Sequence, residues 1–501
     1  MIKVSINGKV FLCEPGTNLG ALAGEKTGVP LICGGRGVCG KCAATVSGEV
    51  SPPSRREREV LGDDAIAKGT RLLCQTSALG DCTVELQGES GAKVISDGET
   101  PPFELSPAFA KYGVSVDVGT TTLAGRLYRS DGALLAVSGV LNPQRTFGAD
   151  VITRMEKALA GSAGQLAALV RSALCSLILQ MSRDAGIDPG RIDGAVITGN
   201  TVMLSFLTLT DVSTMTRAPF EAPRLFGETV GASLLGLSAL KPDTPVYLPP
   251  CVSAFVGADA ICALAASGIL SEECAMLADA GTNGEILLKD KKNLFVTSTA
   301  AGPAFEGAGI SMGMPGIAGA IDRVLPLSGY ALQCRVVGDA APAGICGSGL
   351  VDALSALLIT GRMDESGLLE EDPTELCPGV TLTQSDVRAA QLAKSAVHAG
   401  IRTLIHVAGT EPGKIARLVL AGGFGSSLDA RSAAQIGLIP GALASRTVCA
   451  GNAALAGASM LLLSAGEREK YKKTAGEAIL VPLAANPYFG KEYIERMNFG
   501  Q

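Results

Sequence analysis

Three cysteines and four glycines share the ten residues CGGRGVCGKC, Cys33 to Cys42. The spacing is Cys33-x5-Cys39-x2-Cys42, and thirty-one further residues lead to a lone Cys74 in RLLCQTS. Iron–sulfur clusters are held by thiolates, four of them for a two-iron centre. The glycines let such a loop fold around a cluster and aim backbone N–H groups at sulfur. Zinc competes for the same thiols, but four-cysteine zinc sites usually come as two Cys-x2-Cys pairs, and here the second half is one cysteine. Cys13 and Cys82 compete with Cys74 for the fourth position. The remaining cysteines are scattered singly in apolar surroundings and read as small buried hydrophobes.

A second chemistry begins at VSVDVGTTTLAG. Asp117 ends a strand, and Gly119, Thr120, Thr121 and Thr122 form the turn into the next. Such a turn offers N–H groups and hydroxyls to phosphate oxygens, while the carboxylate holds magnesium through water. MLADAGTNGEILL repeats the pattern with Asp279, Gly281, Thr282 and Asn283. LVLAGGFGSSLD ends a third apolar strand at Gly422 and Gly423, where a flat base can approach the backbone. The chain lacks a Gly-x4-Gly-Lys-[Ser/Thr] loop, which excludes a P-loop ATPase.

The elements that must position these groups fall into three regions. Residues 1–90 alternate apolar and polar positions in short runs around one helix-like stretch, SRREREVLGDDAIAKG. Residues 91–111 are rich in Gly, Pro and Ser and read as a linker. From 112 to 501, two rounds of βββαβα alternate strand runs with long helical patterns, an α/β architecture with weak internal duplication. The 47% apolar content supplies cores, and a net charge of −6 without a basic block argues against nucleic acid. Apolar runs fall short of the ~18 residues of a membrane helix, and MIKVSINGKVFLCEPG alternates like a strand rather than a signal core. A cytoplasmic location is expected.

The N-terminal region resembles the 2Fe–2S ferredoxins, more closely the vertebrate-type branch. That resemblance implies a small β-grasp domain with Cys33, Cys39, Cys42 and Cys74 as ligands. The domain carries eleven basic and ten acidic residues through Ile95, unlike the acidic face of soluble plant ferredoxins, so an in-house electron carrier is expected. The three phosphate and adenosine loops resemble those of the acetate kinase, sugar kinase, heat-shock chaperone and actin superfamily. This implies two ribonuclease-H-like lobes closing over Mg·ATP. Asp117 and Asp279 are then the magnesium and water-positioning carboxylates, Thr120, Thr121, Thr282 and Asn283 contact phosphate, and Gly422 and Gly423 line the adenosine site.

Taken whole, the chain resembles the reductive activators of corrinoid proteins, through LNPQRTFGADVITRM, ITGNTVM, AGPAFEGAGISMGMPGIAGAI, ICGSGLVDALSALL, GGFGSSLDARSAAQIGLIP and GNAALAGA. The resemblance implies ATP-dependent return of Co(II) corrinoid to the Co(I) methyl acceptor, a corrinoid partner protein, an upstream low-potential reductant and a homodimer. Longer members carry an additional middle domain, whereas here the linker runs almost directly into YGVSVDVG. Two other readings share the clamp: an electron donor like the activators of 2-hydroxyacyl-CoA dehydratases, and a sugar or carboxylate kinase with a fused redox sensor. A non-enzymatic actin- or chaperone-like binding protein is a further class.

Some residues have plainer readings. Phe305 and Glu306 in GPAFEG face a partner, gate the cleft, or simply pack. Asp150 and Arg154, one helical turn apart, form an ion pair or face the cleft. Asn200 caps the helix after it, Ser426 and Ser427 cap the helix of LDARSAAQ, and His398 and His406 are structural.

Overall fold

The computed structural model describes residues 1–27, 35–37, 40, 42–86, 98–281, 283–338, 340–422 and 428–500. The chain divides into two compact units, 1–91 with 141–173, and 92–140 with 174–501.

The first unit opens with a hairpin, β1 (Ile2–Ile6) and β2 (Lys9–Cys13). Asn7 and Gly8 turn it with φ of 46° and 79°, the left-handed pair that a two-residue hairpin turn needs. Helix α1 (Leu19–Thr27) follows, then β3 (Ala43–Val50). The expected single helical stretch is two short helices, α2 (Arg55–Leu61) and α3 (Asp63–Ala67), because Gly62 between them sits at φ 76°. Strands β4 (Thr70–Leu72) and β5 (Ala78–Glu85) complete a five-stranded sheet of order β2-β1-β5-β3-β4, with β1 and β5 parallel. This is the expected β-grasp arrangement. Along β5, buried and exposed residues alternate strictly, placing Cys82 with Val4, Ile6 and Val84 in the core.

The second unit holds two sheets built to one plan. Strands β6 (Tyr112–Val118), β7 (Thr122–Arg129) and β8 (Leu134–Leu141) are joined by hairpins. Helix α4 (Val151–Lys157) of the first unit leads to α5 (Ala163–Asp184), which belongs to the first unit as far as Ala173 and to the second from Leu174, with Gly161 at φ 99° between the helices. The helical stretch Val151–Asp184 corrects the sequence expectation in one respect: by length and composition alone it could cross a membrane, with a mean hydropathy of 1.5 over its most apolar window. Its apolar residues Leu166, Val170, Leu174, Leu177, Ile178 and Met181 are fully buried at helical spacing, the pattern of a core helix.

Strand β9 (Ile192–Gly199) returns parallel to β6, and α6 (Thr201–Thr208), β10 (Glu228–Gly231), β11 (Pro245–Leu248) and α7 (Ala258–Ser267) close the first lobe. Its sheet order is β10-β11-β9-β6-β7-β8. The second lobe repeats it with β12 (Cys274–Ala280), β13 (Gly284–Asp290) and β14 (Asn293–Thr299). A smaller three-stranded sheet, β15 (Ala320–Pro326), β16 (Leu332–Val336) and β17 (Gly344–Ile345), precedes α8 (Gly347–Ile359). After a short hairpin, β18 (Thr374–Cys377) and β19 (Val380–Leu382), comes the long α9 (Gln384–Val407). Strands β20 (Leu418–Ala421) and β21 (Thr447–Cys449) flank α10 (Ala430–Gln435), and α11 (Ala453–Leu463) follows. The second sheet runs β21-β20-β12-β13-β14, plus an outer two-residue strand at Ile479–Leu480. Reading from the third hairpin strand inward, both lobes share the order third, second, first, fourth, followed by one further parallel strand, β11 in the first and β21 in the second; β10 is an addition at the first lobe's edge.

Helices α7 and α11 cross at backbone contact: a Cβ on Gly457 would lie 1.7 Å from the Cys262 carbonyl oxygen. Helix α11 lies over β6 and β9 of the first lobe, with Ser459 Oγ 2.9 Å from Ser115 Oγ.

Candidate functional site

The cysteine loop is partly placed. Cys33 and Cys39 lie outside the described residues; Cys42 and Cys74 are buried at the sheet edge. The Leu73 N–H donates to the Cys42 carbonyl at 3.0 Å, which brings the third thiol of the loop beside the lone fourth. Asn18 Nδ2 donates to the Cys74 carbonyl at 3.1 Å, and a Cβ on Gly20 would sit 2.7 Å from Cys74 Cα, so α1 must carry glycine there. Gln75 Nε2 donates to Gly35 O at 2.8 Å and lies 3.7 Å from Cys74 Sγ, tying the loop to the fourth cysteine. The closeness of Cys42 and Cys74 fits two of the thiolate ligands that an iron–sulfur cluster needs. Cys13 and Cys82 sit instead on β2 and β5, in the core.

The two aspartates occupy equivalent places. Asp117 is the sixth of seven residues in β6, and Asp279 the sixth of seven in β12. Asn452, the N-cap of α11, accepts from Leu455 N and donates to Asp117 Oδ2 at 3.1 Å. Asn200 caps α6 as expected, accepting from Met203 N, and donates to Thr120 Oγ1 at 3.1 Å. Each of these two helix-capping asparagines thus also fixes a polar group at the β6–β7 turn. Thr121 Oγ1 donates to Glu306 Oε2 at 2.9 Å, and Thr122 begins β7. Gly119 takes the turn, where a Cβ would meet the Thr122 carbonyl oxygen at 2.8 Å.

On the second loop, Gly281 and Asn283 lie between β12 and β13, while Thr282 is outside the described residues. Gly422, at φ 106°, faces Asp279: a Cβ there would be 2.4 Å from Asp279 Oδ1. The third loop therefore reaches the carboxylate of the second. Gly423, Ser426 and Ser427 are outside the described residues. Helix α10 is capped by Asp429, whose Oδ1 accepts from Arg431 N at 2.8 Å, which corrects the expected serine cap.

Two acids that sequence reading passed over join the set. Asp259 lies in the first turn of α7, and Glu285 on β13 stands directly opposite Asp279 in the antiparallel register. Like charges opposed across strands repel. Burial, with the charge of Asp279 added and the Asn452 hydrogen bond opposing, pushes Asp117 up to about 7. Burial and the charge of Asp117 bring Asp259 up to about 7, and burial with Asp259 and Glu306 does the same for Asp279. Glu285 is raised well above its ordinary value by burial and by Asp259 and Asp279. Such uncompensated acids fit a divalent cation, which would restore their ionised forms. Among the described residues no three acid, histidine or cysteine groups stand close enough to chelate one ion. A cation here would be held largely through water, as magnesium usually is. A glutamate inside the apolar run GEILL was the available signal for Glu285. Asp259 offered none, since its place depends on how α7 crosses the sheets.

Other sequence-singled residues take structural roles. Asp150 caps α4 by accepting from Thr153 N and Oγ1, and buried Arg154 donates to Gly148 O at 2.9 Å. His398 is buried with Nδ1 3.0 Å from Gly437 O, and burial lowers it to about 4; His406 stacks on Tyr488.

Three family models match the chain in order: the 2Fe–2S iron–sulfur cluster binding domain at 3–79, the RACo middle region at 112–272, and the C-terminal ASKHA domain of RACo at 273–501. The chain is 32% identical to the corrinoid activation enzyme RamQ of Eubacterium limosum, over 78% of this chain and 70% of that one. The chain belongs to the RACo family. A [Co(II) methylated amine-specific corrinoid protein] reductase of Methanosarcina barkeri is 26% identical over 70% of each chain. A solved structure named as a reductive activator for a corrinoid, iron–sulfur protein superposes with a TM-score of 0.74 at 25% identity, covering 100% of this chain and 99% of that one. Membership in the RACo family corrects one expectation: its middle region is not missing here but matches the whole first lobe, from β6 through α7. The fold is a 2Fe–2S ferredoxin domain followed by an actin-like ASKHA domain.

Proposed function

We propose that this chain is an ATP-dependent reductive activator of a corrinoid protein, passing one electron from a two-iron cluster to Co(II) corrinoid and returning it to the Co(I) methyl acceptor. The observation that carries this reading is the 32% identity to a corrinoid activation enzyme over 78% of this chain and 70% of that one. Cys33, Cys39, Cys42 and Cys74 hold the cluster, which supplies a one-electron couple. Asp117 and Asp279 position magnesium and its waters at the cleft. Gly119, Thr120, Thr121, Thr122, Gly281, Thr282 and Asn283 receive the phosphates, with Gly422 and Gly423 along the nucleoside. We assign 1–90 to the ferredoxin domain, 91–111 to the linker and 112–501 to the ATPase domain. An upstream low-potential reductant, a homodimeric state and a cytoplasmic location complete the proposal.

The test is anaerobic. Reduced protein is mixed with a Co(II) corrinoid protein, and Co(I) absorbance is followed with and without Mg·ATP. Formation of Co(I) that requires ATP is expected, with a rate reduced at least about a hundredfold in Asp279→Ala, the scale of losing a charge-positioning group. An intact cluster that yields no Co(I) with several corrinoid proteins sinks the proposal and favours the dehydratase-activator or kinase reading.

A further inference from the structure

Glu306 has a placement that the phosphate-loop motifs do not account for. It ends the short turn Pro303–Glu306, bracketed by Gly302 at φ 80° and Gly307 at φ 78°. The turn is tightly fixed. A Cβ on Gly347, at the start of α8, would come within 1.9 Å of the Phe305 carbonyl oxygen, and one on Gly307 within 2.8 Å of Met314 N. Phe305 itself is fully buried. The carboxylate so presented reaches across the cleft. Its Oε2 accepts the Thr121 hydroxyl of the first lobe at 2.9 Å, and its Oε1 stands 3.0 Å from where a Gly281 Cβ would lie on the second. One carboxylate therefore hydrogen-bonds the β6–β7 turn and leaves no room for a side chain at Gly281 in the β12–β13 turn.

A hydroxyl has one proton to donate. If Thr121 receives a phosphate oxygen, it must release Glu306, and two anions sharing one donor repel. We propose that Glu306 is a built-in stand-in for the terminal phosphate of ATP, a positioning residue that bridges the lobes until ATP displaces it. ADP lacks the third phosphate and leaves the bridge in place. ATP arrival thereby breaks the Thr121–Glu306 bridge between the lobes, and the protein distinguishes the two nucleotides at that hydrogen bond. This rests on the nucleotide reading given under Proposed function.

The test is calorimetric titration of the cluster-loaded full chain with Mg·ADP and with a non-hydrolysable Mg·ATP analogue. In Glu306→Ala the analogue is expected to bind roughly three- to tenfold tighter, the scale of one charge-assisted hydrogen bond, while ADP affinity stays within about twofold. Glu306→Gln keeps an acceptor for Thr121 without the charge, so a smaller gain for the analogue alone is expected, and it serves should the alanine variant fail to fold. Weaker analogue binding, or equal changes for both nucleotides, overturns the inference while leaving ATP binding intact. If the wild type binds neither nucleotide, the nucleotide reading falls and takes this inference with it.

Discussion

At the scale of single residues, the ferredoxin domain depends on one buried ion pair. Arg71 Nε meets Glu57 Oε1 at 2.9 Å, and the same carboxylate accepts from Ser54 N, Leu72 N and Thr76 Oγ1. Glu57 thus caps α2 and fastens it to β4, next to the turn that carries Cys74. Burial alone would raise its pKa, but the Arg71 hydrogen bond and the backbone donors outweigh this and hold it below the ordinary glutamate value. The Glu57→Gln variant leaves a buried guanidinium without its counter-charge and is expected to cost about 3 kcal/mol of stability. For a carboxylate whose folded pKa is depressed, the stabilisation is complete above the unfolded value, about pH 4.3, and is lost as pH falls through the folded one. The gap between wild type and variant should therefore be full at neutral pH and close on acidification below about pH 4.3. Urea unfolding followed by the visible absorbance of the cluster measures it.

Among elements, the crossing of α7 and α11 is the most demanding contact. Gly457 has no room for a methyl group over Cys262. Overpacking of a tight core contact costs about 1–3 kcal/mol, so Gly457→Ala should lower the melting temperature. It should also weaken nucleotide binding, because α11 carries Asn452 and hence the partner of Asp117. Differential scanning calorimetry and a nucleotide titration on one preparation test both effects. Elements were the most legible level of this sequence. The hairpins β6–β7 and β12–β13 follow from an aspartate, a glycine and hydroxyl residues placed between apolar runs, since that turn chemistry is local. What escaped depends on tertiary register. Glu285 faces Asp279 only once β12 and β13 pair, and Asp259 joins them only once α7 crosses. The cap of α10 was misplaced by two or three residues because Asp429 and two nearby serines all have capping chemistry.

For the whole molecule, the repeated strand order brings two equivalent aspartates to one cleft with Asp259 and Glu285 beside them. A divalent cation held among these acids should then stabilise the fold. Chelation is expected to lower the melting temperature of the protein, and magnesium with nucleotide to raise it by several degrees, since binding at a hundred times Kd contributes about 2.7 kcal/mol. A thermal melt with chelator, magnesium and Mg·ADP in turn checks this; three identical melts would remove the cation from the account of the cleft. Driving a two-state clamp from 1:99 to 99:1 takes about 5.5 kcal/mol of differential binding, a demand that loops from both lobes acting on one nucleotide can share. The contact of Gly457 with Cys262 bears on how the cleft keeps its geometry. Where two helices meet backbone to backbone at one glycine, the glycine sets their spacing, and the side chains of both helices pack into one core around it. The crossing acts as a gauge: widening it would carry Asn452, at the head of α11, away from the Asp117 carboxylate it holds.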